Sequence, residues 1–168
     1  MGNNSDSIEN SNNIILQISA EFHALLFAIN YKSSNKWIHN ALLDSQRLHM
    51  RTLLFFFSNS NKIYPDDLQY FDIISTKSPD LEIAYDDDLR KFINKQAAHI
   101  TKSRGKLNFD RKKYLETRAL IVDAIEKFLK LLPNYIKPEY KAQLESDDAQ
   151  HALGAVHWQL IHYRLDNE

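Results

Sequence analysis

The string Asn94-Lys95-Gln96-Ala97-Ala98-His99-Ile100-Thr101-Lys102-Ser103-Arg104 gathers the side chains of this chain best suited to chemistry. On a helix, His99 shares a face with Lys95 and Gln96 one turn before it and with Lys102 and Ser103 one turn after it. An imidazole that titrates near neutrality moves a proton, and cations beside it hold a phosphodiester and stabilise the charge that develops on it. That combination suits metal-independent RNA cleavage, in which a ribose hydroxyl attacks its own phosphate. A histidine that only hydrogen-bonds inside a helical bundle is the competing reading, with equal standing on sequence.

The surroundings are basic. Between Lys102 and Arg118 stand Lys102, Arg104, Lys106, Arg111, Lys112, Lys113 and Arg118, opposed by Asp110 and Glu116. The stretch from Pro65 to Asp88 has the opposite bias, with Asp66, Asp67, Asp72, Asp80, Glu82, Asp86, Asp87 and Asp88 against Lys77. Solvated helix ends and turns are the commoner origin of such runs. The sharper reading is a helix hairpin that binds a polyanion through Lys95, Lys102, Arg104, Lys106 and Arg111. A net charge of −1 and a pI near 6.7 confine any such surface to a local patch.

The elements that must position these residues read as helices. Three glycines and four prolines leave little material for hairpin turns. From Asn13 to about Lys32, Ile14, Ile15, Ile18, Phe22, Leu25, Leu26 and Ile29 recur at helical spacing. Ser33-Ser34-Asn35 supplies a turn and an N-cap for a second helix from Lys36 to Phe57. Pro65-Asp66-Asp67 looks like the start of a helical turn with Leu68, Phe71 and Ile74 on its apolar edge, and Ser75 to Tyr85 is expected to cross the surface or one end of the bundle. Asp86-Asp87-Asp88 opens a third long helix ending near Gly105. Asn108 is the expected cap of a fourth, Phe109 to Leu132, stopped by Pro133 and packed antiparallel to the helix of His99. Pro138 starts a short helix to Leu144, and Asp147-Asp148 a last one carrying Leu153, Val156, Trp158, Leu160 and Ile161. The expected fold is an all-α antiparallel helical bundle of four to six helices, with a disordered polar N-terminus over 1–12 and a single domain over 13–168.

The order of Arg47-Leu48-His49-Met50-Arg51-Thr52-Leu53-Leu54-Phe55-Phe56, an acidic connection, Ile93-Asn94-Lys95-Gln96-Ala97-Ala98-His99 and a long amphipathic helix resembles the HEPN superfamily. It is most similar to the bacterial branch related to abortive-infection proteins, over about residues 36–132. The resemblance implies a helical bundle, a homodimer, and RNA as partner in a bacterial defence or toxin–antitoxin setting. It implies a ribonuclease built on an arginine and a histidine, the histidine matching His99. Ile93 stands where the family's arginine would precede the string, and Arg90 upstream and Arg104 downstream are the nearest substitutes. Binding with weakened or absent cleavage is therefore the expectation.

Other classes are narrowed by composition. Without cysteine there is no disulfide, thiolate nucleophile or zinc finger. Glycine motifs for phosphate or dinucleotide loops and for a serine hydrolase are missing. No cofactor is expected. The run Leu53-Leu54-Phe55-Phe56-Phe57 is too short to span a bilayer, and with no secretory leader in evidence a cytoplasmic location is expected. The same run's apolar breadth points to a dimer surface. Two alternatives stay open: a metal site in which His23, His39, His49, His99, His151, His157 and His162 converge, and a non-catalytic interaction module docking through Trp37, Trp158 and Tyr163.

Overall fold

A computed structural model describes residues 13–59, 67–84, 91 and 110–167. Among them the chain forms six α-helices: α1 (Ile14–Asn30), α2 (Lys36–Phe56), α3 (Tyr70–Ile73), α4 (Arg111–Tyr135), α5 (Lys141–Leu144) and α6 (Asp147–Asn167). Short 3-10 turns lie at Pro79–Leu81 and Pro138–Tyr140. Among the described residues there is no sheet, only an isolated bridge between Ile74 and Ile136. This is the expected all-α bundle. Among the same residues no helix is long and apolar enough to cross a membrane.

Both early helices begin where an asparagine satisfies their orphan N–H groups. Asn13 Oδ1 accepts from Leu16 N at 3.0 Å, and Asn35 Oδ1 accepts from Trp37 N at 2.9 Å. Asn13 also donates to Ser146 Oγ, and Ile14 N donates to the Gln143 side chain, so the start of α1 is tied to the start of α6. At the other end Asn30 Nδ2 donates to Gln159 Oε1 at 2.7 Å, and Lys32 pairs with Asp166. Helices α1 and α6 therefore run parallel. Gln46 Nε2 to Ala28 O and His49 to Glu21 place α2 antiparallel to α1. Tyr114 to Gln46 and Phe128 against Phe56 align α4 with α2.

The centre of the bundle is a knot of four rings. Phe22, Phe56, Phe57 and Phe128 lie with centroids 4.9 to 6.1 Å apart, mostly edge to face, as the ring quadrupoles favour. Leu53, Leu54, Phe56 and Phe57 are all buried within the chain, so the breadth that suggested a dimer surface is covered by α1 and α4.

Four local expectations are corrected. Helix α4 is capped by Asp110, whose carboxylate accepts from Lys113 N at 2.9 Å, not by Asn108. It also runs through Pro133 to Tyr135. The backbone beyond the proline is held from outside: Ser75 N donates to Tyr135 O at 2.7 Å and Lys137 N to Ile73 O at 2.9 Å. Among the described residues that follow Pro65 the helical turn spans Tyr70–Ile73, where Gln69 N bonds the Asp72 carboxylate and Ile74 leaves to pair with Ile136. In the connection that follows, Leu81 and Ile83 are buried and Ile83 N bonds Phe57 O, so this stretch enters the core instead of only crossing the surface. On α6 the inward residues are Ala149, Val156, Leu160 and Tyr163, while Trp158 and Ile161 face away. The helix expected to carry His99, and its packing against α4, lie outside the described residues.

Candidate nucleic-acid interface

Of the residues expected to act, Arg90, Lys95, His99, Lys102, Arg104 and Lys106 lie outside the described residues. Arg111 is described: it is exposed and is the first residue of α4. Lys112 and Lys113 follow it, and no acid occupies that first turn. Cations there face the positive end of the helix dipole, at a cost of about 0.3–1 kcal/mol each when exposed. Asp110 offsets part of this as the cap, and Glu116 approaches Lys112 only at 3.8 Å across a solvated surface. The start of α4 thus carries positive charge that its own fold disfavours.

One turn further on, the charge reaches into the interior. Tyr114 is buried, and its hydroxyl donates to Gln46 Oε1 at 2.8 Å, while Gln46 Nε2 donates to Ala28 O at 2.7 Å. This relay fastens α4, α2 and α1 in register. Burial pushes the Tyr114 phenol above its ordinary value, and the charges of Arg118 and Arg47 pull against that shift. Two guanidinium groups therefore flank one phenol. Arg47 bonds Asp44 at 2.9 Å. Arg118 Nε is shut off from solvent and has no hydrogen-bond partner among the described residues. A buried N–H on a charged group is costly to leave unmet.

Arg111, Tyr114 and Arg118 share a face by their three- and four-residue spacing, a signal present in the sequence. Arg47 belongs with them only through the packing of α2 on α4. His49, quoted above in the family-like string, bonds Glu21 at 2.8 Å and serves as a tie between α2 and α1. Trp37 and Trp158 are 83% and 58% exposed, whereas Tyr163 is buried. Among the described residues no three histidine or carboxylate side chains converge to hold a metal ion. Farther along α4 an open cleft of about 200 Å³ is lined by Asp80, Glu82, Asp123 and Lys127 with apolar neighbours. Its carboxylates give it the wrong sign for nucleic acid.

Comparison of the chain with protein families, with curated proteins and with solved structures finds no match.

Proposed function

We propose that this chain is a HEPN-like helical-bundle protein that binds RNA through the basic start of α4 and the segment leading into it, with weakened or absent ribonuclease activity. The observation that carries the reading is the loading of Arg111, Lys112 and Lys113 onto a helix start against its dipole, continued inward by Arg118. Departures from such a local rule are expected where a surface serves a ligand. Phosphate oxygens offer acceptors to guanidinium groups and negative charge to the N-terminus of a helix. His99 would contribute proton transfer if the phosphodiester is cleaved, and Ile93 in place of the family's arginine supports binding without cleavage.

The test is binding of mixed single-stranded RNA by the full chain across roughly 50 to 200 mM salt. Affinity should fall steeply, and Arg111→Ala or Arg118→Ala should each reduce the log–log salt slope by about 0.7, the single-strand value per phosphate contact. A flat salt response would dismiss the reading. Cleavage that survives a chelator and disappears in His99→Ala, with binding retained, would instead establish an active ribonuclease.

A further inference from the structure

From Phe22 to Leu43 the chain has no Asp or Glu, in a sequence that holds 22 of them. That stretch is the end of α1, the turn after it and the first two turns of α2. The acids on either side of it are engaged: Glu21 bonds His49 at 2.8 Å, and Asp44 bonds Arg47 at 2.9 Å. Lys32 and Lys36 stand within it, the first paired with Asp166 across an exposed surface. The tip of this helix hairpin excludes negative charge and keeps positive charge.

Aromatic rings are laid on the same tip. His23, Phe27 and Tyr31 follow one another at four-residue spacing, with centroids 6.1 and 5.4 Å apart and planes within 19° and 27° of parallel. Phe27 and Tyr31 are 43% and 49% exposed, so this row belongs to the surface and not to the core. Beyond the turn, Lys36 to Ala41 are all exposed, Trp37 and Ile38 included. A helix draws most of its stability from burying one side, and these residues bury none. They are held at the cap, where Asn35 accepts from Trp37 N and Ile38 N. The tip also adjoins the basic start of α4. Helices α2 and α4 run parallel, with Tyr114 bonded to Gln46 and Phe128 against Phe56. Trp37 precedes Gln46 by nine residues and Arg111 precedes Tyr114 by three, which puts Trp37 about 9 Å beyond Arg111 along the bundle. At the rise of about 3.4 Å per stacked nucleotide, that is roughly three nucleotides.

We propose that the α1–α2 tip is a stacking site for unpaired RNA bases, with Trp37 and Tyr31 taking base faces while Arg111 holds the phosphate backbone. The inference rests on the RNA reading and narrows it to strands whose bases are free. A base inside a duplex has its faces covered by its neighbours, whereas an unpaired base offers a π-face that stacks on an aromatic ring. Carboxylates beside such a strand would repel its phosphates, which accounts for their exclusion from the stretch between Glu21 and Asp44. The apolar core of a protein–protein contact would exclude both signs of charge, and here lysine is kept. A membrane surface is the poorer occupant, since two lysines fall short of the roughly four to eight that hold a helix on anionic lipid.

Trp158→Phe leaves Trp37 as the single indole of the full chain, so tryptophan fluorescence then reports on the tip. Titration with an oligoadenylate of about 12 nucleotides should quench that emission saturably. Inorganic polyphosphate of equal charge, which has no bases, should compete for Arg111 and leave the emission unchanged. Trp37→Ala and Tyr31→Ala should each weaken oligoadenylate binding by about five- to hundredfold at an unchanged salt slope, because a stacking contact is lost and a phosphate contact is not. Trp37→Phe should restore most of the affinity. Both side chains are exposed, so the variants should keep the helical content and thermal midpoint of the wild type. Steeply salt-dependent binding with a silent Trp37 and indifferent variants overturns this site and leaves the RNA reading standing. Equal quenching by polyphosphate, or quenching by phosphatidylcholine vesicles in place of RNA, overturns it as well. Failure to bind oligoadenylate at any salt concentration removes the RNA reading itself, and this inference with it.

Discussion

Tyr70 shows what burial does to a single group. Its side chain is buried, and its hydroxyl donates to Glu82 Oε1 at 3.1 Å. Burial first, then the hydrogen bond to the Glu82 carboxylate and its charge, push the phenol from 10.0 up to about 12. Below pH 10 folded and unfolded chains both keep this proton, and the advantage of the folded state is fully present. Between about 10 and 12 only the folded chain keeps it, so stability falls as pH rises through that window. Tyr70→Phe should cost about 1 kcal/mol at pH 7 through the lost hydrogen bond, yet lose less stability than wild type between pH 9 and 11.5. Urea midpoints of both proteins across that range decide it, and parallel alkaline decline would refute the assignment. The exposed network around Arg164 has less leverage. Lys130 and then Arg164 hold Glu126 below the usual carboxylate range, but solvent screening keeps such pairs small.

At the scale of elements, α4 carries its own weak point. Pro133 has no N–H to offer Leu129 O, a defect that costs about 3 kcal/mol in an unsupported helix interior. The helix continues because Ser75 and Ile73 take up backbone groups of Tyr135 and Lys137 beyond the proline. Pro133 is exposed, so Pro133→Ala adds a backbone bond without disturbing the core. It should raise stability by about 1–2 kcal/mol, part of the penalty being already relieved by those outside contacts. Equilibrium urea unfolding would show this as a higher midpoint at constant slope. A lower midpoint would mean that the proline's stiffness is itself needed to aim the chain at the Ile74–Ile136 bridge.

The whole molecule closes around the four phenylalanines, where α1, α2 and α4 meet. Phe128 touches all three of the other rings and is 1% exposed. Phe128→Ala should therefore destabilise the chain by about 3–5 kcal/mol, a large share of the total for a protein of this size. Trp158→Ser removes a side chain of similar bulk from the outside of α6 and should change monomer stability by less than about 0.5 kcal/mol. Denaturation of the two variants at low protein concentration gives the contrast directly. Equal losses would mean that the outer side of α6 is packed within the chain after all.

The extents of α1 and α2 could be read from the sequence because local chemistry decides them: Asn35 as a cap, and apolar residues at three- and four-residue spacing along both helices. The class of fold followed from the same periodicity and from the scarcity of glycine and proline. Periodicity alone could not say which of the two stripes of α6 enters the core. Both are apolar, and only packing on α1 selects Val156 and Leu160 over Trp158 and Ile161. Nor could it carry α4 past Pro133, since the groups that hold the far side come from residues 73–75, distant in sequence. Arg111, Tyr114 and Arg118 could be aligned on paper as one helix face. That Arg47 stands beside them was decided by the docking of α2 on α4 through Gln46. Caps and helical faces depend on neighbours within about one turn, which the sequence states outright. Which faces meet depends on side chains brought together by the whole chain, and that information exists only in three dimensions.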